Sequence, residues 1–64
     1  MKLKYAIGDI LFNLAADSHL LIEDIDYQYR VVPVSYRLMD LGTGKSVWWP
    51  IRLIDENRNY IKVA

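Results

Sequence analysis

A chain of 64 residues has room for one small domain, spanning 1–64, and a domain of that size buries only about 60% of its unfolded surface. It contains no cysteine, which removes disulfides and thiolate metal sites as braces, and its single histidine has no second one with which to hold a metal. Eight basic residues offset eight acidic ones, which disfavours nucleic acid as a partner, because such binders carry a basic excess or stripe.

The first turn signal is Gly8-Asp9. Beyond it Ile10, Phe12 and Leu14 alternate with Leu11 and Asn13, which predicts a strand from about Asp9 to Ala15. Ala16-Asp17-Ser18 reads as a turn; a helix over Leu14 to Leu21 competes, but Asp17-Ser18 suits a helix interior poorly. A second strand is predicted from His19 to Asp26. A third, longer one runs from about Gln28 to Met39, with Val32, Val34, Tyr36 and Leu38 alternating with Pro33, Ser35 and Arg37. Pro33 cannot donate to a ladder and predicts a bulge or an edge.

The stretch Gly44-Lys45-Ser46 fills the last three places of a phosphate-loop pattern. Met39 stands where its first glycine should be, and Val47-Trp48-Trp49-Pro50 predicts a strand where a helix should open. No helix N-terminus is expected there to receive a phosphate, so Asp40 to Lys45 reads as a hairpin loop with glycines free to take positive φ. A fourth strand then covers Ser46 to Trp49. Pro50 followed by Ile51, Leu53 and Ile54 predicts one helical or 3₁₀ turn with proline at its first position, and Tyr60 to Val63 a short closing strand. Curling five short strands would close most sheet edges.

In this order, "YAIGDIL", "LLIEDID", "YRV", Trp48-Trp49, "IRLID" and "YIKVA" resemble the Src-homology-3-like small barrels, above all the Tudor-like branch. The resemblance implies an all-β fold, a five-stranded barrel with one short helical turn before the last strand. It also points to the short stand-alone proteins of bacteria and phages. The chain lacks the A-L-Y-D-Y strand of true Src-homology-3 domains, and a long hairpin separates Gly8–Leu11 from Trp48-Trp49, so recognition of proline-rich peptides is not carried over. A second branch, the tetrameric trimethoprim-resistant dihydrofolate reductases, has a V-Q-I-Y-P strand where this chain has Ser46 to Pro50. Its ligand-contacting glutamine is replaced by Val47.

Candidate sites follow from residue type. His19 has only Asp17, Ser18 and Glu23 as sequence neighbours, which points to an exposed or turn-packing histidine. Strand alternation places Asp24 and Asp26 on one face and Glu23 on the other, which reads as a solvated acidic edge. No catalytic, cofactor or metal residues are assigned. Two tryptophans, five tyrosines and a phenylalanine exceed what so small a core can hold. Trp48 and Trp49 should face opposite ways; strict counting back from Ile51 favours Trp49 inside, but Pro50 can break that register, so the sequence leaves open which of the two is exposed. The exposed one, with Tyr27, Tyr29, Tyr36 or Tyr60, is expected to form a partner-binding aromatic patch.

The leading expectation is a non-enzymatic module that docks a protein partner or its own copy through aromatic surface, as a phage or bacterial accessory protein. The alternative is an oligomeric small-molecule-binding or reductase-like barrel with a site between subunits; a nucleic-acid-binding barrel comes third. No apolar run reaches the ~20 residues of a membrane span and no secretory signal is evident, so a cytoplasmic protein without membrane contact is expected.

Overall fold

The computed structural model describes residues 2–64. Its elements are β1 (Ile10–Asn13), β2 (Ser18–Gln28), β3 (Val32–Asp40), β4 (Ser46–Pro50), α1 (Ile51–Asp55) and β5 (Tyr60–Lys62). All five strands pair antiparallel in one sheet of order β4-β3-β2-β1-β5. The fold is mostly β, as expected. The sheet is not closed into a barrel, since β4 and β5 each have one strand neighbour.

Element existence and order follow the sequence reading, and the boundaries shift for local reasons. β2 runs two residues further than expected and β3 starts later, because the chain reverses at Tyr29 and Arg30. Both take positive φ, 53° and 64°, and the Val31 N–H closes the turn on the Gln28 carbonyl at 3.2 Å. Two successive positive φ values match the right-handed twist of the flanking strands, the geometry usually supplied by Asn-Gly. Pro50 stands one place earlier than expected, as the last residue of β4 and the N-cap of α1. Its missing N–H costs nothing at a helix start.

The Asp40–Lys45 stretch is a hairpin loop. The Asp40 carbonyl accepts from Gly44 N–H at 2.7 Å, and the Asp40 carboxylate accepts from Gly42 N–H at 2.8 Å. Gly44 has φ +75°, a conformation that side chains disfavour.

The β2–β3 ladder carries two register shifts. One lies between Ile22 and Asp24, with Glu23 as the extra residue of β2; the other lies beside Tyr27, with Val34 as the extra residue of β3. The second is the bulge that Pro33 predicts, and it turns Pro33 into the buried row. The core is Tyr5, Leu11, Ile22, Tyr36, Leu38, Ile51 and Ile54, with Leu3, Leu20, Ile25 and Tyr60 packed against it. It fills the concave side of the bent sheet, under α1 and the N-terminal segment. Three contacts lock that side. The Asp55 carboxylate accepts from the Tyr36 hydroxyl at 2.8 Å and from Lys4 N–H at 3.2 Å. The Tyr5 hydroxyl donates to the Tyr60 carbonyl at 3.4 Å.

Candidate functional site

β4 combines the residue types most suited to docking with the least covered position in the sheet. Ser46, Val47, Trp48, Trp49 and Pro50 are all exposed, none is charged, and only β3 lies beside them. Their register on β3 is Met39↔Ser46, Leu38↔Val47, Arg37↔Trp48, Tyr36↔Trp49 and Ser35↔Pro50. The Lys45 carbonyl accepts from Asp40 N–H at 2.8 Å, which fixes the phase of the ladder. In an antiparallel pair, alternate residues turn their backbone groups toward the neighbour. Val47 and Trp49 therefore bond to β3, while the N–H and C=O of Ser46 and Trp48 point away from the sheet. No described residue accepts a hydrogen bond from those two N–H groups.

Alternation sets the two tryptophans on opposite faces, as expected, and pairing with the buried Tyr36 puts Trp49 on the core side. The expectation that one of them is buried is not met. Trp48 is 45% exposed and Trp49 is 43% exposed, because an edge strand has nothing on its far side to cover either ring.

On the convex face, the Arg37 guanidinium lies 5.7 Å from the Trp48 ring centroid, within reach of a cation–π attraction. Arg37 Nε is 3.4 Å from Glu23 Oε1, an ion pair; this nitrogen is buried and has no hydrogen-bond partner in good geometry. The Ser46 hydroxyl donates to the same Glu23 oxygen. Alternation had put Glu23 on the face opposite Asp24. The bulge at Glu23 overrides that, and its carboxylate shares the convex face with Arg37, the partner of Asp24. A half-exposed pair of this kind contributes little stability, about 0–1 kcal/mol, but it fixes where the guanidinium sits under Trp48.

On the concave face, Trp49, Val47, Leu38, Leu20 and Tyr60 line an open cleft of about 300 Å³, with Lys45, Thr43 and Asp40 at its rim. Trp49 and Tyr60 thus line one cleft, although their strands are the two edges of the sheet. Tyr27 and Tyr29 belong elsewhere, at the far end of the β2–β3 hairpin, where Tyr29 is 83% exposed beside Val31.

Tyr36 is corrected outright as a surface contact. It is fully buried at the centre of the core, its ring 6.3 Å from that of Tyr5. Burial, reinforced by donation to Asp55, holds its hydroxyl protonated well above the usual tyrosine range. His19 pairs with Phe12 across the β1–β2 ladder, their ring centroids 4.8 Å apart. Asp9 accepts from Ala6 N–H at 2.9 Å and faces Lys62 at 3.4 Å; the backbone donor first, then Lys62, hold its carboxyl below the usual range. The sequence reading singled out neither Arg37 nor Val47. The uncharged run of β4 carried a signal for Val47, whereas Arg37 meets Glu23 only through a bulge without a signature of its own.

No helix among the described residues is long and apolar enough to cross a membrane. No family model, curated protein or solved structure matches this chain.

Proposed function

We propose that the protein is a non-enzymatic docking module whose contact element is β4, with Trp48 and Trp49 as the anchoring residues. One observation carries this reading. Both tryptophans, the largest apolar side chains of the molecule, stand consecutively and nearly half exposed on an uncharged edge strand. Tryptophan dominates the energetics of protein interfaces and is seldom left open without use. The preset Arg37 under Trp48 and the cleft beside Trp49 give the two rings defined surroundings, which suits recognition better than incidental exposure. The same reading takes the fold as a variant of the Src-homology-3-like small barrels. The support is the order of the elements, four strands, a helical turn and a short closing strand, together with two bulges that bend the sheet toward closure.

The test uses Trp48→Ala and Trp49→Ala. Both variants should stay folded in thermal melting, because each removes a ring that is already half in water. Each should weaken association, read by calorimetry with a partner captured from the native host or by self-association, by ~2 kcal/mol or more. If both variants unfold, the tryptophans are structural and the docking reading fails.

A further inference from the structure

We infer that the free edge of β4 pairs with the β4 of a second copy of this chain, antiparallel, about a two-fold axis at Val47. The inference rests on β4 being the docking element and names what occupies it.

The two edges of the sheet differ. β5 is three residues long, and its charged Lys62 is ion-paired with Asp9. A short edge bearing a lysine resists pairing with another chain. β4 is five residues long and has neither charge nor cover. Its outward backbone groups are the N–H and C=O of Ser46 and Trp48, followed by Pro50, which has no N–H to give.

That set of groups is complementary to itself in one register. With Val47 opposite Val47 of the copy, Ser46 meets Trp48 of the copy, and Trp48 meets Ser46. Both are hydrogen-bonded pairs that use every outward donor and acceptor of the two residues. Pro50 falls beyond the ladder, so its missing donor leaves nothing unsatisfied. A register centred on Trp48 is poorer. It sets the Ser46 carbonyl against the donorless Pro50, and the Ser46 N–H against a Pro50 carbonyl that already lies at the start of α1. In the Val47 register the side chains also agree. Two half-exposed valines meet on the concave face, and Lys45 of each copy stands across from Trp49 of the other, a cation beside an aromatic ring. The contact is small, so pairing is expected to be weak and reversible.

The experiment follows molar mass by sedimentation equilibrium across a concentration series, together with amide hydrogen exchange by NMR. The expected result is a reversible monomer–dimer equilibrium in which exchange at Ser46 and Trp48 slows as the dimer fills. Val47→Lys and Val47→Glu should each be folded and weaken self-association by about tenfold or more, because like charges meet at the axis. An equal mixture of the two should recover a heterodimer, since the axis then joins opposite charges. A chain that stays monomeric throughout overturns the inference. So does a dimer whose Ser46 and Trp48 amides exchange as fast as in the monomer, or a mixture that recovers nothing. A monomeric chain that still captures another protein in a Trp48-dependent way overturns the self-pairing alone and leaves the docking role of β4 standing.

Discussion

Tyr36 shows how far a single residue can be read from its neighbours. Alternation put it on one face with Leu38, Val32 and Val34, and its residue type made it a candidate surface contact; it is buried with Leu38, while the two valines are exposed. The bulge at Val34 separates them: beyond it Tyr36 and Leu38 point inward, and before it Pro33 does. What the sequence could not offer is the partner of the hydroxyl, because Asp55 reaches it from α1 and Lys4 reaches Asp55 from the N-terminal segment. Replacing Tyr36 by Phe should cost ~1.5–3 kcal/mol in urea unfolding at neutral pH, the loss of a hydrogen bond to a charged group. The pH dependence has a definite sign. The folded hydroxyl ionises only far above its unfolded value, so its stabilisation is complete below about pH 10 and is lost as pH climbs through the folded value. As pH rises from neutrality to above about 10, the urea midpoint should therefore fall more for the wild type than for Tyr36→Phe. Parallel alkaline losses would show that this hydroxyl is not coupled to folding.

Elements were more legible than residues. Each strand and the helical turn declared itself through period and breakers, and the Asp40–Lys45 loop through its glycines. The β2–β3 reversal did not, because tyrosine and arginine occupy positions where positive φ is uncommon. The ladder around them enforces that turn, against a local preference of about 1–2 kcal/mol per residue. The existence of α1 was legible, its facing was not. Ile51 and Ile54 are buried, three residues apart on one face of the turn, whereas Leu53 is 54% exposed, a division that the shared apolar character of the three did not give. Ile54→Ala should cost ~2–5 kcal/mol, a large share of the stability of so small a domain. Leu53→Ala should stay within ~0.5 kcal/mol. Chemical unfolding of the pair checks the orientation of the helix; equal losses would mean that both side chains support the core.

At the scale of the molecule, composition foretold surplus aromatic surface but not its distribution. The surplus is split between the convex face at Trp48, the cleft at Trp49 and Tyr60, and the hairpin end at Tyr27 and Tyr29. That division depends on strand order and on two bulges, neither of which a local pattern encodes. The order β4-β3-β2-β1-β5 also governs the sequence of assembly. β1 to β4 form a run of hairpins whose contacts are local, while β5 must return across nearly the whole chain to reach β1. Non-local pairing is entropically the slowest to form. The three-residue β5 is also the cheapest segment to release. It should dock last in folding and detach first in the native ensemble. Two adjacent amides of β1 report this directly. Leu11 pairs with Leu20 of β2 in the hairpin, and Phe12 pairs with Ile61 of β5. The ladder phase set by the bond from Ile10 N–H to the Ala64 carbonyl turns the Phe12 N–H toward β5 and the Leu11 N–H toward β2. Phe12 should exchange with solvent measurably faster than Leu11; equal protection would mean that the closing strand leaves only when the entire molecule unfolds.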